Sequence, residues 1–121
     1  MIQRCLTLLA VAAVAACGQF VPAARQLEPG VLAVQTSPDA TLEVLDWGGT
    51  GKTLVFLAGG GHTAHEFDEF APRLTDTFRV IGITRRGVGA SSASRHRVPR
   101  DRITDIARVL DALALEFLVL V

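Results

Sequence analysis

Three consecutive glycines, Gly59-Gly60-Gly61, follow an apolar run of strand length, Thr53 to Ala58. Removing three side chains in a row lets backbone N–H groups approach a ligand closely. At the carboxyl end of a parallel strand, such a loop sits where α/β sheets bind their ligands. Amides aimed at a reacting carbonyl stabilise a developing oxyanion, by roughly 2.7–4 kcal/mol per donor. The plain alternative is a flexible turn between a strand and a helix. His62 and His65 flank the loop, either lining a site or serving as surface or capping residues.

Two other stretches invite chemistry, and each lacks a requirement. Gly48 to Thr53 (GGTGKT) suggests a phosphate loop, but that motif needs a glycine where this chain has Asp46. It must also open into a helix, whereas Lys52-Thr53 runs straight into TLVFLA. A Gly-rich turn is the better reading. Gly89-Ala90-Ser91-Ser92-Ala93 approaches the G-x-S-x-G nucleophile elbow, in which a helix begins directly after the serine. Here a polar loop ending in Pro99 follows. A Ser91–His96 couple is geometrically feasible, yet it lacks both the strained turn and an orienting carboxylate.

The chain that carries these residues has 121 of them, half hydrophobic, with 12 Lys+Arg balancing 12 Asp+Glu. That suits one ordinary domain with a core and excludes a disordered tail. Zero net charge leaves no field directed at nucleic acid or an anionic membrane surface. Cys5 and Cys17 make neither a disulfide framework nor a zinc site, and no metal or cofactor is expected. The lack of Tyr and the single Trp47 argue against an aromatic-rich binding surface.

The N-terminus reads as an export signal. Leu6 to Ala16 is apolar apart from Thr7, and its 11 residues span only about half of a ~30 Å hydrocarbon core. That length fits a signal-peptide core. Val14-Ala15-Ala16-Cys17 resembles a bacterial lipobox, in which the cysteine is lipidated; ordinary cleavage at Ala13-Val14-Ala15 is the alternative. The expected layout is a signal peptide over 1–17, a tether over 18–30 and an α/β domain over 31–121. The protein is expected to be exported, either lipid-anchored in the bacterial envelope through Cys17 or secreted or periplasmic. Any membrane contact runs through that anchor alone.

Strand and helix alternate through the rest. Val31 to Thr36 and Thr41 to Trp47 are β-rich runs around the turn Ser37-Pro38-Asp39-Ala40. Thr53 to Ala58 has the continuous apolar character of a strand buried on both faces. Phe67, Phe70, Ala71 and Leu74 share one helical face, and Pro72 limits them to an irregular turn and a short helix. Phe78 to Thr84 is the next strand, and a loop runs from Arg85 to Arg100. Asp101 caps a helix reaching about Leu115. Its apolar set is Ile103, Ile106, Ala107, Leu110, Leu113 and Ala114; Arg102, Asp105, Arg108 and Asp111 form a solvated face. Phe117 to Val121 is a last strand. This alternation predicts an α/β fold, a mostly parallel sheet with flanking helices.

The segments LVFLAGGGHTAHEFDEFAPRL and FRVIGITRRGVGASS resemble the α/β-hydrolase fold superfamily. In that family a buried strand leads into a His-Gly or Gly-rich oxyanion loop, and the next strand leads into D-x-R-G-x-G-x-S. Arg86-Gly87-Val88-Gly89-Ala90-Ser91 matches the second motif, with Thr84 where Asp is usual and Ala58-Gly59 where His-Gly is usual. The resemblance implies the N-terminal part of an α/β-hydrolase fold. It further implies a hydrolase of ester, amide or related bonds in a small-molecule substrate, working through a covalent intermediate. Gly60 would be the first oxyanion-hole amide and Gly61 the second, while the Arg86 to Ser91 segment would be a structural turn. The family places its nucleophile, acid and histidine beyond the strand that Phe117 to Val121 resembles, so the 121-residue chain is expected to be an inactive fragment. That strand would pair with Thr53 to Ala58 on one side and leave FLVLV as an apolar edge favouring self-association. Two other readings stay open: a non-catalytic exported lipoprotein that keeps a partial domain for binding, and a complete small α/β domain of unrelated function.

Overall fold

The computed structural model of the chain describes residues 18–92, 99–116 and 118–121. The export signal with Cys17, His96 of the Ser91–His96 couple, and Phe117 lie outside the described residues. Six strands are present among them: β1 (Ala23–Glu28), β2 (Val31–Ser37), β3 (Ala40–Gly48), β4 (Thr53–Leu57), β5 (Arg79–Ile83) and β6 (Leu118–Leu120). One α-helix, α1 (Pro99–Ala112), joins the last two. The strands make a single sheet in the order β1-β2-β3-β5-β4-β6.

The sheet is mixed. β1, β2, β3 and β5 pair antiparallel in succession, whereas β5, β4 and β6 run parallel. β6 lies beside β4 as expected, with Thr53 opposite Leu118 and Val55 opposite Leu120. Parallel neighbours need crossovers, and these supply the layers that cover the sheet.

Alternation within the strands sorts side chains to two faces. Val34, Leu42, Val44, Val55, Ile81 and Ile83 form the core of one face, with Val109, Ile106 and Leu110 of α1 packed on them. Phe56, Val80 and Trp47 belong to the other face, where Phe67, Ala71 and Leu74 cover them. The covering elements there are two 3₁₀ turns, Ala64–Phe67 and Ala71–Leu74, the second carrying Pro72 as its second residue. The continuous runs TLVFL and RVIGI are therefore buried on both sides. Gly82 interrupts the second run because a Cβ there would lie 2.6 Å from the Trp47 ring.

Two expectations need correction. The tether over 18–30 contains β1, which pairs with β2 through its backbone while all six of its residues stay exposed. With neither face buried, no hydrophobic alternation marks it. The face of α1 is also rotated from the one expected. Ile103 is 74% exposed, while Asp105 is 3% exposed and Val109 fully buried. Asp105 turns inward because Arg86 and Thr36 bond to it. Arg108 likewise reaches back, donating to the Thr36 carbonyl and lying 5.4 Å over the Phe20 ring. The helix opens at Pro99, a favourable first position, which leaves Asp101 in the first turn near the positive end of the dipole. It ends in a Schellman motif, with Ala114 N–H on the Asp111 carbonyl and Leu115 N–H on that of Leu110. Ala114 takes the left-handed position, at φ +50°.

Candidate functional site

The carboxyl ends of β4 and β5 bring the two sequence motifs together. Gly59, Gly60 and Gly61 leave β4 as an exposed loop. A Cβ built at any of the three would meet nothing within 4 Å. Only Gly61 has a left-handed backbone, at φ +84°. Neither packing nor conformation within the chain calls for glycine at 59 or 60. The loop closes with a His62 N–H to Gly59 carbonyl bond of 3.0 Å, and Arg85 Nη2 donates to the same carbonyl at 3.0 Å. The N–H groups of Gly60 and Gly61 make no hydrogen bond to a described residue.

The neighbouring turn after β5 is closed on itself. Gly87 N–H donates to the Ser92 carbonyl at 2.8 Å, and Ser91 N–H to that of Val88 at 3.1 Å. The Ser91 hydroxyl donates to the Thr84 carbonyl at 2.6 Å and accepts from Glu43 N–H at 2.9 Å. Ser92 Oγ accepts from Thr41 N–H at 2.8 Å. Both hydroxyls thus latch the turn to β3, and Ser91 is buried. Arg86 completes the clamp from α1, its Nε 2.9 Å and its Nη2 2.6 Å from the two oxygens of Asp105. That carboxylate raises the Arg86 pKa above its ordinary value.

Thr84 stands where the resembled motif has Asp, and β3 makes good the difference. Its hydroxyl donates to Glu43 Oε1 at 2.8 Å and accepts from Ala64 N–H at 2.9 Å. Glu43 thereby supplies the carboxylate from a neighbouring strand, while Thr84 holds the start of the 3₁₀ turn after the glycine loop. His65 braces the arrangement from outside, with Nδ1 2.8 Å from Asp68 and Nε2 3.4 Å from Glu43. The Asp68 hydrogen bond first, then the charge of Glu43, hold its pKa above the usual histidine value against some desolvation. His62 is exposed and pairs with Glu66 at 3.2 Å. Both histidines are thus paired with carboxylates, His62 with Glu66 and His65 with Asp68 and Glu43.

Glycines 49 and 51 serve the β3–β4 turn. A Cβ at Gly49 would fall 1.9 Å from the Phe78 carbonyl oxygen, and one at Gly51 would fall 2.8 Å from that of Thr77. Close backbone approach explains GGTGKT without a phosphate. Glu43 and Arg85 do not stand out in the sequence as site residues, and spacing sets Asp105 on a solvated face. The available signal was a carboxylate set inside an otherwise apolar strand, TLEVL. Among the described residues no cluster of three or more His, Cys, Asp or Glu is placed to hold a metal ion.

No protein-family model matches the chain, and no curated protein matches it. Solved structures do. A hydrolase from Pseudomonas aeruginosa PA01 is 31% identical over 74% of this chain and 35% of its own, with a TM-score of 0.63. An esterase from Exiguobacterium antarcticum is 29% identical over 67% of this chain and 31% of its own, at 0.62. A bromoperoxidase from Bacillus anthracis is 29% identical over 67% of this chain and 30% of its own, at 0.61. The chain spans about a third of the length of these proteins. Identity at this level, the shared sheet and the two motifs meeting at its carboxyl edge make the chain a relative of the α/β-hydrolase superfamily, carrying the N-terminal part of that fold.

Proposed function

We propose that this chain supplies the oxyanion-binding part of a hydrolase site acting on ester, amide or related bonds of a small molecule. The observation that carries the reading is the glycine loop itself. Gly59 and Gly60 have no internal reason to be glycine, and the N–H groups of Gly60 and Gly61 have no partner among the described residues. Preorganised amides of this kind act where charge develops in the transition state, and they need no reorganisation as it forms. Arg85 steadies the loop through the Gly59 carbonyl. The nucleophile is not Ser91, whose hydroxyl is spent on backbone groups of β3 and β5. Among the described residues no serine hydroxyl is bonded to a histidine. Export through a lipidated Cys17 belongs to the same reading and rests on the apolar run that precedes it. Self-association through the outer edge of β6 does too, since Val119 and Leu120 are 43% and 50% exposed there.

A chimera tests the catalytic part. Residues 18–121 replace the matching segment of the Exiguobacterium antarcticum esterase, and turnover of p-nitrophenyl acetate is followed. The chimera is expected to be active, and Gly60→Pro, which removes the N–H, to lower kcat by about 10²–10³. A folded, inactive chimera, or an unchanged kcat in Gly60→Pro, would overturn the reading. The chain alone is expected to match a heat-treated control. Activity that vanishes in Ser91→Ala would return the nucleophile to the turn.

A further inference from the structure

A cavity of about 210 Å³ opens between the carboxyl ends of β4 and β5 and the first turns of α1. Its wall is apolar, built by Leu42, Leu57, Ile83 and Ile106. Its charged lining is Arg85, Arg86, Arg102 and Asp105, three cations against one carboxylate. That carboxylate is already engaged, since Asp105 accepts from both Arg86 nitrogens and from Thr36 Oγ1 at 2.8 Å. Arg85 and Arg102 have no counter-charge among the described residues.

Arg85 is the informative side chain. Its Nη2 is held by the Gly59 carbonyl, but its Nε is buried without an acceptor, the one such side-chain atom among the described residues. A buried donor left unpaired is costly, and buried polar groups are almost always satisfied. Arg85 Nε thus lacks an acceptor, and the cavity beside it lacks an anion to balance its cations. Guanidinium groups suit carboxylates, which they bind through charge-assisted hydrogen bonds. The apolar wall adds a second requirement, a hydrocarbon body beside the acid group.

We propose that this cavity binds a small carboxylate with a short unbranched tail, its oxygens on Arg85 and Arg102 and its tail against Leu57, Ile83 and Ile106. An apolar cavity of about 150 Å³ holds benzene, so one somewhat larger takes a body of roughly six carbons. Inorganic phosphate would leave the apolar wall unused, and a neutral alcohol would leave the arginines unbalanced. The site uses neither Gly60 nor Gly61, and it shares with the glycine loop only Arg85, whose Nη2 holds the Gly59 carbonyl.

Calorimetric titration of the purified chain with sodium hexanoate tests it, with hexylammonium, hexanol and inorganic phosphate as comparison probes. Hexanoate is expected to bind saturably at one site and more tightly than any of the three. Arg85→Gln and the cavity-filling Ile106→Phe should each weaken it about tenfold or more, whereas Arg73→Gln, on the exposed surface elsewhere, should not. Circular dichroism checks each fold; if Arg85→Gln is unfolded, Arg85→Lys keeps the charge, loses Nε and should weaken binding likewise. Hexanoate heats absent at about 10 mM, equal binding of hexanol or phosphate, or full affinity in a folded Arg85 variant would each overturn the proposal.

Discussion

The loop after β4 and the turn after β5 are both rich in glycine, for opposite reasons. In the turn, Gly87 and Gly89 sit at φ +80° and +51°, and a Cβ on Gly89 would lie 2.6 Å from Thr63 Cγ2. Gly87 supplies a left-handed backbone, and Gly89 also makes room for the protein's own atoms. In the loop, residues 59–61 face open space, and two of the three adopt a backbone that any residue could. Their lack of side chains serves something outside the chain. Glycine count alone cannot separate the two cases, but the space around each Cα does. The turn is a fastener and the loop is a vacancy.

The sharpest way to break that contrast is to cut the fastener. Asp105→Ala leaves Arg86 unpaired and half-buried, and breaking a buried pair from one side typically costs about 3–5 kcal/mol. Urea denaturation of the chain should register a loss of that order; a loss below about 1 kcal/mol would mean that the clamp is not holding the turn. Gly89→Ala comes next. It combines a left-handed backbone with a clash against Thr63, and a cost of about 1–3 kcal/mol is expected in the same measurement. Ala114→Gly runs the logic backwards, since this positive φ is occupied by a residue with a Cβ. Glycine there should stabilise the chain by about 0.5–1 kcal/mol, seen as a higher urea midpoint with an unchanged slope. The smallest effect belongs to the vacancy. Gly60→Ala should change stability by no more than about 0.5 kcal/mol, and a larger loss would show that the loop packs after all.

The sequence carried the parallel half of the sheet well. TLVFL and, after Arg79, VIGI run apolar without alternation, as strands covered on both faces do, and β6 stands beside β4 as the resemblance implies. The short helical segment at Pro72 and the presence of α1 were legible for the same local reasons, a proline's fixed φ and helical spacing, although α1 begins at Pro99 and ends at Ala112 rather than running from Asp101 to Leu115. What escaped depends on partners far along the chain. Spacing alone placed Asp105 on a solvated face, because nothing near it in sequence announces Arg86, 19 residues away. Thr84 reads as a lost carboxylate until Glu43, 41 residues earlier, is seen to provide one. β1 escaped for a different cause: it buries no face, so its pairing leaves no trace in hydropathy.

The strand order also sets a clock. β4 lies between β5 and β6, and both of these neighbours follow it in the chain. Its partner Arg79 emerges 26 residues after Thr53, and Leu118 emerges 65 residues after it. At about 5–20 residues per second, the strand that ends in the glycine loop waits roughly 1–5 s for its first neighbour and 3–13 s for its second. During that interval TLVFL is a bare, uncharged ribbon with both edges open, the state in which a nascent chain is most exposed to wrong pairing. The order that sets the loop-bearing strand between two later neighbours makes it one of the last to be secured as the protein is born.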